Sequence, residues 1–255
     1  MCTVSWLKQA DGYQVFCNRD ERRTRRAALA PSVHERNGVQ FIAPEDGDHG
    51  GAWIGVNEYG LTLCLLNRYE EPGNAAVNNV PTHHELRSRG LLLTELLDCR
   101  SRATVKDRLL TTTLDRFQPF TLLLLCPAQP ALLAHWDGRR ISFESCDDVA
   151  PPLISSAFDT AEVIAARREQ FSRLTANATE LNFDRLYEFH RSHEPSASAY
   201  SVCMHRDDAQ TVSFSWINVT GQQIEFWYHP QALCQREVPT RVVLPLVQPQ
   251  PRSVR

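Results

Sequence analysis

Long apolar runs are missing from this chain of 255 residues, and the longest, Leu122 to Cys126, falls far short of the ~20 residues that a helix needs to cross a bilayer. Met1 is not followed by a basic segment and an apolar stretch, so the expectation is a cytoplasmic protein without a transmembrane segment. An excess of positive charge is missing too: 27 Lys and Arg stand against 30 Asp and Glu, a net charge of -3 that gives no general attraction to nucleic acid or anionic membrane. With 11 glycines there is no glycine-rich phosphate loop, and no internal repeat or nucleic-acid module is present. Cysteine is plentiful, but metal-type spacing is not: Cys2, Cys17, Cys64, Cys99, Cys126, Cys146, Cys203 and Cys234 are scattered. Cys64, Cys126 and Cys203 sit in apolar strand-like runs and read as small buried hydrophobes of a reducing compartment. His83-His84-Glu85 reads as a polar helix entry, and His190 with His193 as a solvated pair at helical spacing. The expectation is therefore no metal and no cofactor. Asn177-Ala178-Thr179 and Asn218-Val219-Thr220 match the glycosylation pattern and are incidental without secretion.

What is present is 42% hydrophobic and 22% charged residues, enough for a sizeable core. Val4, Trp6 and Leu7, the Asp11-Gly12 turn signal, and Tyr13 to Cys17 predict a β-hairpin. Antiparallel pairing then returns Asn18-Arg19-Asp20-Glu21 to the side of Cys2. A second hairpin is predicted from Trp53-Ile54-Gly55-Val56 and Leu61 to Leu66 around Asn57 to Gly60, its second strand apolar at nearly every position and ended by Asn67. Leu86 to Cys99, a segment after Ser101, Asp159 to Phe171 and Leu181 to His190 carry helical periodicity. Phe120 to Cys126, Ala131 to Trp136, Ile141 to Phe143, Ala199 to His205, Thr211 to Val219 and Gln223 to Tyr228 read as strands. Strands, helices and strands again predict an α+β chain of stacked layers: two sheets face to face with helices outside, in one domain over 1–244 and a disordered tail over 245–255.

The chemistry concentrates at the start. Initiator methionine is removed ahead of a small side chain, which would leave Cys2 with a thiol and a free α-amine on one residue. That amine, with an ordinary pKa of about 7.7–8.0, can act as base toward its own nucleophile. A cation beside the thiol favours the thiolate, and a carboxylate can hold the ammonium or Arg19. Asn67, at the end of a central strand, is a candidate oxyanion donor. Arg22-Arg23-Thr24-Arg25-Arg26 is either a solvated loop or a dock for a carboxylate or phosphate.

These blocks carry a resemblance. Cys2, Asn18-Arg19-Asp20-Glu21, Gly50-Gly51-Ala52-Trp53-Ile54-Gly55-Val56 and Leu66-Asn67-Arg68 resemble the Asn-Arg-Asp-Glu family, also called Transport and Golgi organisation 2. With Val56-Asn57-Glu58-Tyr59-Gly60-Leu61 the pattern is more distantly similar to choloylglycine hydrolases and penicillin V acylases. The resemblance implies a four-layer αββα fold of the N-terminal-nucleophile type. It implies Cys2, Arg19, Asp20 and Asn67 as catalytic residues, with Asn18, Glu21, Arg68 and Ser156 contacting substrate. Ser156 stands where those hydrolases carry a polar amide. Two functions follow: hydrolysis of a small-molecule amide or related acyl bond through a thioester, or a non-catalytic protein that binds haem, acyl-CoA or another acyl lipid in the same cleft.

Overall fold

The computed structural model describes residues 2–69, 86–146, 150–176 and 181–247. In chain order the strands are β1 (Cys2–Gln9), β2 (Gly12–Arg22), β3 (Leu29–Arg36), β4 (Val39–Glu45), β5 (Ile54–Asn57), β6 (Thr62–Asn67), β7 (Phe120–Leu125), β8 (Ala131–Trp136), β9 (Ile141–Cys146), β10 (Leu153–Ser155), β11 (Ala209–Val219), β12 (Gln223–His229) and β13 (Thr240–Pro245). The helices are α1 (Arg89–Leu96), α2 (Arg102–Thr111), α3 (Thr160–Ala176) and α4 (Phe183–Arg191). A six-stranded sheet runs β10-β1-β2-β11-β12-β13, and a seven-stranded sheet runs β3 through β9 in sequence order.

The layer order follows from which residues each face buries. Cys2, Val4 and Trp6 of β1 and Tyr13, Val15 and Cys17 of β2 meet Ile54, Val56, Cys64 and Leu66 of the second sheet, forming the core between the sheets. Alternate residues of β2 and β11, Phe16 and Phe214, face the other way onto Leu186 of α4. Leu92, Leu93 and Leu96 of α1 and Val105 and Leu109 of α2 cover Leu63, Leu65, Leu122 and Leu124 on the outside of the second sheet. The product is the αββα sandwich, with helices on both outer faces. Among the described residues no helix is long and apolar enough to cross a membrane.

The first hairpin has the expected turn, with Gln9 opposite Gly12 and Cys2 opposite Arg19. Gly12 is required there because a Cβ would lie 1.9 Å from the Val219 carbonyl oxygen. In the second hairpin Asn57 is wholly buried: its Nδ2 donates to the Leu97 and Cys99 carbonyls (2.9 and 2.6 Å), and its Oδ1 accepts from the Tyr59 and Leu61 N–H groups. One side chain therefore closes the β5–β6 turn and caps the C-terminal end of α1.

Three expectations need correction. Ala199 to His205 is not a strand but an irregular segment whose one ladder contact is an isolated bridge, His205 with Gln210. Its carbonyls are engaged elsewhere: Ala199 O accepts from Arg167 and Val202 O from Asn18. His190 is not solvated. It is fully buried and neutral, its Nδ1–H donating to Asn18 Oδ1 (3.1 Å) and its Nε2 accepting from the Ser5 hydroxyl (2.8 Å), and burial together with the Arg167 charge holds its pKa down at about 3. Residues 245–247 are ordered, since the Leu246 and Val247 N–H groups donate to the Gln222 and Glu58 carbonyls. The remainder of the expected tail, together with His83-His84-Glu85 and Asn177-Ala178-Thr179, lies outside the described residues.

Candidate active site

β1 begins at Cys2, held between two strands: Cys2 pairs with Arg19 of β2 on one side and with Ser155 of β10 on the other. Its side chain points between the sheets, 6% exposed, onto a cleft of about 620 Å3 walled by β2, the 46–53 loop, the end of β6 and the start of α1. Two close backbone approaches shape that wall. Gly51 has φ +73° and a Cβ there would sit 2.4 Å from the Gly90 carbonyl carbon, while Ala52 N–H donates to Gly90 O.

The Cys2 thiol titrates below the ordinary thiol value. The hydrogen bond with the Cys17 thiol is the largest cause, burial works against it, the positive charge of the chain's N-terminus lowers it further, and the charges of Asp20 and Arg19 respectively raise and lower it. The same contact and burial push Cys17 well above the thiol range, and the Cys17 thiol also donates to the Asn18 carbonyl (3.7 Å).

The period of two along β2 separates the residues expected to converge here. Arg19 and Glu21 face the cleft with Cys2. Arg19 is 4% exposed, stacks over the Trp53 ring at 4.0 Å, donates through Nη2 to Asp46 and lies 3.7 Å from Glu21. Asp46 also accepts from Arg25 and from the Asp48 and His49 N–H groups. Burial alone would raise its carboxyl, but Arg25, the His49 N–H and Arg19 outweigh that and hold it below the usual range.

Asn18 and Asp20 project to the opposite face, toward α3 and α4. Asn18 Nδ2 donates to the His190 and Val202 carbonyls (both 2.9 Å). Asp20 accepts from Arg167 Nη1 (3.1 Å) and from the Thr211 hydroxyl (2.7 Å), and Arg167 Nη1 also donates to Thr3 Oγ1 (2.6 Å). A register shift between Thr211 and Ser213 of β11 aims that hydroxyl at Asp20. The adjacent arginine and aspartate thus work on opposite sides of one strand. Asp20 acts on the thiol from behind the sheet.

Asn67 does reach the cleft. Its Nδ2 donates to the Tyr69 hydroxyl (3.0 Å), and its carbonyl accepts from Ser155 Oγ (2.6 Å), which links the end of β6 to the strand beside Cys2. Ser156, expected to contact substrate, instead turns back on its own loop, donating to Phe158 O and accepting from Phe158 N. Ser156 and Arg68 both line a second cleft of about 430 Å3 beside His135, which adjoins the Cys2 cleft and shares Asn67 and Tyr69 with it. Within the basic run, Arg22, Thr24 and Arg25 line the Cys2 cleft, Arg25 paired with Asp46 and Asp48, whereas Arg23 turns away to Arg206 O and Gln210.

Sequence reasoning missed Asp46, Tyr69, Arg89 and the role of Trp53. Burial raises the Tyr69 hydroxyl and lowers Arg89, and the two face each other across the cleft mouth. Of these, Trp53 was marked by its Gly-Gly-Ala-Trp block, but nothing in the spacing tied Asp46 to Arg19.

The Cys2 thiol is expected to alkylate ahead of Cys17, Cys64, Cys99 and Cys126, the last three raised mainly by burial. Cys234 is at the surface, so the measurement belongs in a Cys234→Ser background. Limiting iodoacetamide followed by peptide mass mapping checks it. Labelling should persist at pH values below those at which an ordinary thiol stops reacting, because the lowered pKa keeps thiolate there.

Comparison with known proteins places this geometry. No curated protein matches the sequence. A mutant of the conjugated bile acid hydrolase from Clostridium perfringens shares 11% identity at a TM-score of 0.53, over 98% of this chain and 97% of that one. The N-acylethanolamine-hydrolyzing acid amidase orthologue of Caenorhabditis elegans shares 13% identity at a TM-score of 0.56, over 85% and 92%. At such identities the likeness is one of fold, and the fold is that of the N-terminal-nucleophile hydrolases. Residues 1–220 match the family model described as Transport and Golgi organisation 2, and this chain belongs to that family.

Proposed function

We propose that the protein is an N-terminal cysteine hydrolase that cleaves an amide or related acyl bond of a small molecule. The observation that carries the reading is Cys2 itself: a thiol of lowered pKa at the first position of a central strand, opening on a cleft large enough for a small acyl substrate. With Met1 removed, the α-amine of Cys2 takes the thiol proton and the sulfur attacks the acyl carbon. Asn67 Nδ2 supports the oxyanion by turning from Tyr69. The C–N bond breaks as the Cys2 ammonium returns its proton to the departing amine, leaving a thioester. Water, deprotonated by the same amine, hydrolyses that thioester and frees Cys2.

Arg19 is a positioning residue in this scheme, fixed by Trp53 and Asp46 so that its charge favours the thiolate. Asp20 positions β1 and β2 from behind through Arg167 and Thr3. Arg22, Arg25, Arg87 and Arg89 outnumber Glu21, Asp46 and Asp48 along the cleft walls, which favours a substrate bearing a carboxylate or a similar anion.

Intact mass of protein made with no added N-terminal residues should show loss of Met1. A panel of acyl amides, with and without a carboxylate, should yield turnover and an acyl adduct on Cys2 after rapid acid quench. Retained Met1, together with acyl-CoA or haem binding that Cys2→Ala leaves unchanged, would instead make the cleft a carrier site.

A further inference from the structure

On the far side of the first sheet from the cleft, two irregular segments converge: the 192–208 stretch between α4 and β11, and the one following β12. They bring together His193, Cys203 and His205 of the first segment with Cys234 of the second. Each offers one ligand atom, and all four atoms lie within 4.8 Å of one another. The separations around His205 already match a coordination shell. Its Nε2 is 3.6 Å from Cys203 Sγ and 3.3 Å from Cys234 Sγ, against the roughly 3.6 Å nitrogen-to-sulfur edge of a tetrahedron with zinc bonds of about 2.3 Å to sulfur and 2.0–2.1 Å to nitrogen. The His193 ring stands 5.0 Å from that of His205, and its Nε2 is shielded from solvent without a hydrogen-bond partner among the described residues. A buried imidazole nitrogen of this kind needs an occupant or a donor.

We propose that His193, Cys203, His205 and Cys234 bind one Zn2+ ion as a structural site. The donor set is two thiolates and two neutral imidazoles, whose charge cancels that of the ion, so a neutral centre suits a pocket where Cys203 is fully buried. Binding displaces one proton from each thiol to solvent and leaves every oxidation state unchanged. Four protein ligands leave no open position, which makes the centre structural. The ion fixes the 192–208 stretch, which holds Asn18 and Arg167 through the Val202 and Ala199 carbonyls. None of the four ligands lines the Cys2 cleft.

The experiment uses the full chain, reduced, stripped with a chelator and titrated with Co2+. One equivalent should give the intense visible bands of tetrahedral cobalt and a near-ultraviolet thiolate charge-transfer band, both bleached by one equivalent of Zn2+. Cys2→Ser should leave these spectra unchanged, while Cys203→Ser and Cys234→Ser should each weaken binding by about 100-fold or more. Chelation should lower the Tm of the native chain by about 5–10 °C. Cys234 is at the surface, so its variant folds even if the Cys203 variant does not. An octahedral cobalt spectrum, or a tetrahedral one that survives Cys234→Ser, overturns the proposal. A Cys203–Cys234 disulfide in aerobic protein, with no tetrahedral spectrum after reduction, overturns it too and makes the pair a redox crosslink.

Discussion

Cys2→Ser is expected to lower turnover of the best acyl amide by about 10³-fold or more, equivalent to about 4 kcal/mol of transition-state stabilisation, with KM little changed. Serine fits the space of the thiol, so the fold is kept. What is lost is the ionised sulfur: a hydroxyl has a far higher pKa than a thiol, so the same α-amine removes its proton much less readily. Cys17→Ala supplies the complementary result. It removes the hydrogen bond that lowers the Cys2 pKa, so the acid limb of the pH–rate profile should move to higher pH while the limiting rate survives. If Cys2→Ser keeps more than about a tenth of the turnover, the nucleophile has been misassigned.

Behind the sheet the largest effect is on stability. Arg167→Met removes the cation from a pair in which Arg167 is 1% and Asp20 0% exposed, so the buried carboxylate loses that ion pair. The expected cost is roughly 3–5 kcal/mol, or a Tm lower by about 10 °C, and thermal unfolding measures it. Adding Asp20→Asn to Arg167→Met should return a good part of the loss, since the buried charge goes with it. Arg19→Ala should behave differently. Its partner Asp46 keeps Arg25 and two backbone N–H groups, so stability should fall by only about 1 kcal/mol while Cys2 loses reactivity toward iodoacetamide. Equal unfolding temperatures for Arg167→Met and the native chain would show that the pair does not hold the strands together.

The contrast between those two arginines marks how far the sequence could be read. Both hairpins, the apolar β6 and β7 and four helices carried their own periodicity, and the structure keeps them within a few residues. β3 was not legible because it is a largely exposed edge strand, Leu29–Arg36, with only Pro31 buried and no clean alternation. Ala199 to His205 was misread for the opposite reason: its composition suits a strand, but Arg167 and Asn18 claim its carbonyls, a tertiary fact with no local signature. At the site, position along β2 located Arg19 beside Cys2, but which of the adjacent Arg19 and Asp20 faces the thiol was left open until the strand's alternation sent Asp20 behind the sheet. The His193, Cys203, His205 and Cys234 cluster had no recognisable spacing, because an irregular stretch with no local signature folds His193 back onto Cys203 and His205 and a second segment after β12 adds Cys234.

The strand order of the first sheet has a consequence for synthesis. β1 and β2 leave the ribosome first, yet their neighbours β10 and β11 span residues 153–155 and 209–219, so the hairpin must wait for most of the chain before either flank is paired. On the proposed reading, Met1 has to be trimmed before those flanks close. Afterwards Cys2 is nearly enclosed. If Met1 is removed as proposed, maturation and folding compete for the same residue, and a chain that closes its sheet too early would lock the methionine in place.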